Sequence, residues 1–237
     1  MELAGALAVV TGATEGIGRA TAFALGRAGA GVAICARTDA NVQATVRELR
    51  AAGVDAIGMR CDVADPVGVD AFAAFVSGER GAPRIVVNNA GIGRFKPLAE
   101  LSLADWDETM AVNVRSLFLV TRAFLQGMQA AGGGTIVNIA SLAGKNGIEG
   151  GTAYCASKHA VLGFSKSLML EVRRHGVRVV AICPGSVATP FREKQDRPRP
   201  PRERALTADD VAHAVLATLT VSDRAMISEV DIRPTNP

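Results

Sequence analysis

The stretch LAVVTGATEGIG, residues 7–18, decides the fold. Its first part, Leu7–Val10, is an apolar run short enough for a buried strand. Gly12, Gly16 and Gly18 then punctuate a turn, and from Ile17 to Ala28 the apolar residues recur at helical spacing. Glycine allows a tight turn and close approach of backbone to a ligand. The helix N-terminus behind it offers N–H groups and positive potential. A phosphate-binding turn is therefore favoured over a glycine-rich turn that binds nothing. Gly12, Thr14, Glu15, Gly16, Ile17 and Gly18 become the first candidate contacts.

Further strand-like runs lie at Val32–Ala36, Ala56–Arg60, Ile85–Asn88, Thr135–Ile139, Val177–Cys183 and Ile227–Ile232. Between them fall helical stretches at Asn41–Ala52, Val67–Ser77, Leu103–Ala131, Thr152–Arg174 and Thr207–Leu219. Strands that are apolar throughout, alternating with helices, predict a parallel sheet covered on both faces. The expected fold class is α/β: a single-domain doubly wound parallel sheet of about seven strands, the Rossmann fold, over residues 1–237. One compositional break, charged and proline-rich at about residues 189–206, predicts a short lid. It follows a strand's carboxyl end, where such sheets bind ligands.

Composition narrows the function classes. A chain of 237 residues suits one domain with a large core, and 49% hydrophobic residues with 25 glycines suit helices packed closely on a sheet. The net charge of +3 is matched by the Arg192–Arg204 segment alone, where six basic residues face three acidic ones. Bulk charge gives no reason to expect a nucleic-acid partner. No apolar run approaches the ~20 residues that span a bilayer, so no membrane partner is expected. Met1–Gly5 shows no secretory pattern, and Cys35, Cys61, Cys155 and Cys183 lack metal-ligand spacing. The expectation is a cytoplasmic protein with reduced thiols and no metal.

The second strand ends Cys35-Ala36-Arg37-Thr38. An acidic residue here would hold the ribose hydroxyls of NAD, whereas an arginine suits the 2′-phosphate of NADP. Ala36 stands at the acidic position, followed by Arg37 and the Thr38 hydroxyl. NADP(H) is favoured and NAD(H) stays possible. Glu15 is an awkward neighbour for a phosphate, and Arg37 as a solvated strand end is the bland alternative.

A second constellation is Tyr154 with Lys158, in Y-C-A-S-K. Four residues apart on a helix, they share one face. A free tyrosine titrates near ~10, and a neighbouring ammonium would lower that value. A phosphate cradle with a tuned phenol points to proton-coupled hydride transfer on a nicotinamide.

With T-G-x-x-x-G-x-G at Thr11–Gly18, Asn88-Asn89-Ala90-Gly91, Asn113, Ser141, and Tyr154 with Lys158, the chain closely resembles the short-chain dehydrogenase/reductase family. Ser141 precedes Tyr154 by 13 positions, the spacing of that family, and the features run from Leu7 to about Asp231. The resemblance implies a catalytic set of Asn113, Ser141, Tyr154 and Lys158. Tyr154 would be the general acid in reduction and the base in oxidation, with Ser141 polarising the substrate oxygen. Lys158 would tune Tyr154 and hold the nicotinamide ribose. Asn113 would interrupt its helix and hold a water leading from Lys158 to solvent. Asp62 and Val63 would meet the adenine, and Asn89 and Gly91 the adenosine ribose. Val187 and Thr189 would lie near the carboxamide or pyrophosphate, and Ala90, Pro184 and Gly185 complete the cofactor side.

The expected activity is reversible NADPH-dependent reduction of a ketone or 3-oxoacyl-type carbonyl. Alternatives are an NAD-linked secondary-alcohol dehydrogenase and a non-catalytic NADP(H)-sensing protein. The nearest type is 3-oxoacyl-(acyl carrier protein) reductase, with two departures. The last strand reads Glu229-Val230-Asp231-Ile232-Arg233 in place of a V-D-G-G-like segment, and Thr189–Thr207 is short. A general carbonyl reductase is therefore the expectation, acting on a small-molecule substrate. Its pocket should involve Arg94, Phe95, Leu142, Ile148, Glu149 and the residues after Pro190. Arg94 or the Arg192–Arg204 cluster would bind a substrate carboxylate or phosphate, the alternative for the cluster being a solvated lid. His159, His175 and His213 show no ligand spacing, and Trp106 reads as a packing anchor. The resemblance also implies a homodimer or homotetramer paired through the helices of Asn113 and Tyr154. Leu117, Leu119, Val161, Phe164, Leu168 and Leu170 would give those helices a second apolar face.

Overall fold

The apolar runs become seven strands: β1 Leu7–Thr11, β2 Gly31–Ala36, β3 Ala56–Arg60, β4 Ile85–Asn88, β5 Gly134–Ile139, β6 Val177–Pro184 and β7 Glu229–Ile232. They pair in parallel in the order β3-β2-β1-β4-β5-β6-β7. The chain is seen in a computed structural model that describes residues 2–193, 205–222 and 224–235. The helices are α1 Gly16–Arg27, α2 Asp39–Ala51, α3 Pro66–Arg80, α4 Leu103–Met110, α5 Ser116–Ala130, α6 Thr152–Val172, α7 Pro190–Glu193 and α8 Ala208–Leu219. Strand order reverses between β1 and β4, which opens a crevice at the carboxyl ends of the strands.

Alternation along each strand explains why the strands are apolar throughout. Val10 and Ile34 pack with Leu25, Leu49 and Val215 of α1, α2 and α8. Val9 and Ala33 face the other way, into Phe72, Phe124 and Met128 of α3 and α5. Both faces are dry, and each large side chain fully buried there contributes roughly 1.5–3 kcal/mol. Between the layers, the Asn88 amide donates to Asn138 Oδ1 at 2.9 Å and to Thr121 Oγ1 at 3.1 Å. Asn138 in turn donates to Ser165 Oγ at 2.9 Å, so one buried network joins β4, β5, α5 and α6.

Caps fix where helices begin. Asp65 accepts from Val67 and Gly68 N–H, with Pro66 at the first helical position of α3. Ser102 with Asp105, and Thr207 with Asp210, form capping boxes for α4 and α8. These starts lie within a residue of the sequence expectation.

One expectation is met and one needs correction. The helix expected over Leu103–Ala131 is interrupted at Asn113, as the family resemblance implied, by a π turn at Ala111–Arg115. Its cause is Asn113, whose side chain is drawn inward: Oδ1 accepts from Ile92 N–H at 2.8 Å, and Nδ2 donates to Ile92 O and Ser157 Oγ, both at 2.9 Å. The second apolar face is narrower than expected. Leu117, Leu119, Val161 and Leu168 are buried in this chain's own core, and Phe164 packs against it. Of the six, Leu170 stays outward, joined by Phe118. Among the described residues, no helix is long and apolar enough to cross a membrane.

Candidate active site

The turn after β1 has the shape its glycines allow. Gly12 and Gly16 adopt φ of 63° and 52°, in the left-handed region. At Gly18 the constraint is space: a Cβ would lie 2.3 Å from Asn89 Nδ2 and 2.4 Å from the Gly12 carbonyl oxygen. The Asn89 amide donates to the carbonyls of Thr11 (2.9 Å) and Gly12 (3.1 Å). Thr11 Oγ1 accepts from Asn89 N–H and Ala90 N–H at 3.0 and 3.1 Å. The N-N-A-G segment and the glycine turn therefore form one rigid unit. Glu15, extended at the N-cap of α1, makes no side-chain cap. Close backbone, left-handed glycines and a helix start uncapped by its own side chain together fit a pyrophosphate.

The crevice is a cavity of about 770 Å³. Every residue expected on the cofactor side lines it except Gly18, which sits behind, against Asn89 and Gly12. Arg37 and Thr38 line the cavity together with Asn41 of α2, which the sequence did not single out. Asp62 also lines it, with Oδ1 accepting from Ala64 N–H at 3.0 Å to hold the turn after β3. On the substrate side Phe95, Leu142, Ile148 and Glu149 line the cavity, joined by Phe191 of α7. Arg94 does not, which corrects the expectation for it. Its guanidinium is held by Glu108 of α4, with Nη2 at 2.6 Å and Nε at 3.1 Å. The side chain of Arg192 and residues 194–204 of the basic cluster lie outside the described residues.

Three of the four catalytic candidates line the cavity: Ser141, Tyr154 and Lys158. Ser141 Oγ accepts from Ala143 N–H at 3.1 Å and donates to the Pro184 carbonyl at 3.5 Å. Burial pushes the Tyr154 phenol up to about 12, and the nearby Ser141 hydroxyl pulls the other way. Lys158 Nζ donates to the Ile139 carbonyl at 2.9 Å and stands 5.7 Å from the Tyr154 ring centroid. Burial pulls its ammonium down to about 8. The lowering of Tyr154 by Lys158, expected from their spacing, is thus not found in this arrangement. The ammonium is turned to a backbone carbonyl, and desolvation dominates both groups.

Asn113, the fourth candidate, is buried behind this trio. It donates to Ser157 Oγ, which donates to the Tyr154 carbonyl at 2.7 Å, so the π turn braces the first turn of α6. Four residues after Ser141, Lys145 bridges Glu229 and Asp231, tying that segment to β7. Cys183, Glu229 and Asp231 bring ligand atoms within 4.8 Å of one another, but the Lys145 ammonium already meets the two carboxylates. His159 is engaged locally, with Nδ1 2.8 Å from the Cys155 carbonyl. Trp106 is half-buried.

A phenol and a hydroxyl meeting at one end of a cavity can present two hydrogen bonds to a substrate oxygen, one of them transferring its proton. A buried amine beside them offers a further proton. Phe191, the first of the residues after Pro190 expected in the pocket, has its ring 5.9 Å from that of Tyr154.

Comparison with known proteins agrees with this geometry. The short chain dehydrogenase family matches residues 6–200. The granaticin polyketide synthase putative ketoacyl reductase 1 of Streptomyces violaceoruber is 44% identical over 190 residues, 79% of this chain and 70% of that protein. The D-threitol dehydrogenase of Mycolicibacterium smegmatis is 41% identical, covering 97% of this chain and 91% of its own. A solved metagenomic short-chain oxidoreductase, in complex with NADP, superposes with a TM-score of 0.87 at 41% identity over 100% of both chains. The chain belongs to the short-chain dehydrogenase family.

Proposed function

We propose that this protein is an NADPH-dependent reductase of ketones or 3-oxoacyl-type carbonyls. The observation that carries this reading is a single cavity containing both halves of the reaction. Ser141, Tyr154 and Lys158 line it together with the glycine turn and Arg37. Arg37, with Ala36 in place of an acidic residue, favours a 2′-phosphate over free ribose hydroxyls. Two similar proteins support it by name, one a putative ketoacyl reductase and one an oxidoreductase in complex with NADP.

Reduction adds a hydride to the carbonyl carbon and a proton to its oxygen. The glycine turn, Arg37 and Asp62 would hold NADPH, which would supply that hydride when bound. Tyr154 gives the proton from its phenol, and Ser141 donates a hydrogen bond to the same oxygen as charge develops on it. Lys158 holds the nicotinamide ribose and lowers the proton affinity of Tyr154 once its ammonium swings from the Ile139 carbonyl toward the phenol. A water at Asn113 leads replacement protons inward from solvent. The protein works in the cytoplasm as a homodimer or homotetramer, with Phe118 and Leu170 supplying exposed apolar surface on α5 and α6.

A second reading, a polyol or secondary-alcohol dehydrogenase, draws on the D-threitol dehydrogenase match over nearly the whole chain. It uses the same residues in the oxidative direction. Initial rates with a ketone panel and a polyol panel, each with both nicotinamide cofactors, separate the two. The reductase reading predicts ketone turnover with NADPH at least about tenfold faster than with NADH. Arg37→Asp should reverse that preference, since it places a carboxylate against the 2′-phosphate. Equal use of both cofactors by the parent would contradict the role given to Arg37.

A further inference from the structure

The substrate end of the cavity is built around three rings in contact. Phe95 lies 5.2 Å from the Tyr154 ring, centroid to centroid, at an interplanar angle of 45°. Phe191 lies 5.9 Å from it at 46°. Both phenylalanines line the cavity, and they come from distant parts of the chain, one after β4 and the other on α7. They also converge on each other. A Cβ placed on Gly93 would lie 2.3 Å from Phe95 Cε2 and 3.0 Å from Phe191 Cζ, so the missing side chain at Gly93 is what admits both ring edges.

The chain holds only ten aromatic residues, eight Phe, one Trp and one Tyr. Two of the eight phenylalanines stand against the one tyrosine, which is also the proton donor. Leu142 and Ile148 complete an apolar rim, and Arg94, the cation next to Phe95, is held away by Glu108. Asn146 and Glu149 are the polar side chains beside that rim, and the wall next to Tyr154 itself is made of the two rings. Tilted rings near 5–6 Å are the geometry in which a further flat ring gains offset or edge contacts that a puckered ring of equal size does not.

We propose that Phe95 and Phe191 form an aromatic clamp beside Tyr154 that selects ketones bearing an aromatic ring next to the carbonyl. This rests on the carbonyl-reduction reading and adds the substrate class. The clamp leaves the chemistry of the step unchanged and acts on where the carbonyl sits. A planar aryl group lying along the two phenylalanines carries its carbonyl oxygen toward Ser141 and Tyr154. A cyclohexyl group of the same size makes weaker ring contacts and holds the carbonyl less firmly.

The test compares acetophenone with cyclohexyl methyl ketone, which differ only in ring aromaticity, using NADPH and the full-length protein. The ratio of their kcat/KM values is measured in the parent, Phe95→Leu, Phe191→Leu and the double variant. Taking ratios cancels any difference in NADPH binding and, across variants, the intrinsic reactivity of the two ketones. The clamp predicts that the aryl-to-cyclohexyl ratio falls several-fold in each single variant and roughly tenfold in the double one, the size two ring contacts give. Gly93→Ala, which pushes both rings aside without removing either, should lower the ratio in the same direction. Equal losses for both ketones would assign the phenylalanines a purely structural role and overturn the clamp. So would a ratio that does not move while both ketones are reduced. If the parent binds NADPH but reduces neither ketone, the reductase reading fails first and the clamp falls with it.

Discussion

Lys158 sits with its ammonium on one backbone carbonyl in a buried site, and its folded-state value of about 8 lies below the ordinary 10.5. The sign of the stability effect follows. Above the unfolded value the lysine is neutral in both states and costs nothing electrostatically. As pH falls toward the folded value, the unfolded chain gains a proton that the folded chain resists, so stability is lost through that window and stays lost below it. Lys158→Met should therefore stabilise the protein at neutral pH, by about 1–3 kcal/mol after the lost bond to Ile139 is allowed for. The gain should shrink as pH rises from about 8 to about 10.5. Urea unfolding across that range measures it, and a gain that does not vary with pH would contradict the buried-ammonium account. Tyr154 behaves oppositely. Its folded value of about 12 lies above the ordinary 10, so its contribution is full below the unfolded value and is lost as pH rises through the folded one. At neutral pH only Lys158 gives up stability at this site, because Tyr154 is neutral in both the folded and the unfolded chain.

At the scale of elements, the glycine turn and the π turn make separate predictions. Gly18→Ala would press a Cβ against Asn89 and the Gly12 carbonyl, so the turn must open. NADPH affinity should fall about tenfold or more, with a loss of about 1–3 kcal/mol in stability. A fluorescence titration with unchanged Kd would overturn the view that this packing shapes the cofactor turn. Asn113→Ala would leave the Ile92 N–H and carbonyl without their partner and remove the amide bond to Ser157 Oγ, costing about 1–3 kcal/mol, seen as a lower Tm. Turnover should fall as well, because the brace behind Tyr154 is lost. The residue pattern made the first of these elements legible directly, and the second only through the family resemblance that placed a helix interruption at Asn113. Glycine spacing reports a turn directly, whereas an added residue in a helix barely disturbs its apolar periodicity, so Leu103–Ala131 read as one helix. The ion pair of Arg94 was hidden for a related reason. Its partner Glu108 lies on the next helix, and only the folded path between them brings the two charges together.

Across the whole molecule, the order of strands and helices was legible because both sheet faces are dry except at the edge strand β7, which makes the strands apolar and the helices one-sided. The cofactor side was nearly as legible, since its contacts are turns at strand ends. On the substrate side the lining residues Phe95, Leu142, Ile148 and Glu149 were legible, but the meeting of Phe95 and Phe191 at Tyr154 was not, because only the return of the chain after β6 brings it about. The surface open to a partner subunit was overestimated for the same reason: helix residues that looked spare, such as Leu117 and Val161, are spent on this chain's own core. What remains exposed, Phe118 and Leu170, still predicts association. Light scattering should give two or four times the monomer mass, and Leu170→Asp should shift it toward the monomer. A parent that runs as a monomer would refute the assembly.

The central claim is that Tyr154 gives the proton that turns a carbonyl into an alcohol. Its most direct test is NADPH consumption with a reducible ketone by the parent and by Tyr154→Phe, with NADPH binding measured in both. The account predicts that the variant binds NADPH as the parent does and loses at least about two orders of magnitude in turnover, the usual worth of a positioned general acid. Turnover by Tyr154→Phe within a few-fold of the parent would contradict it.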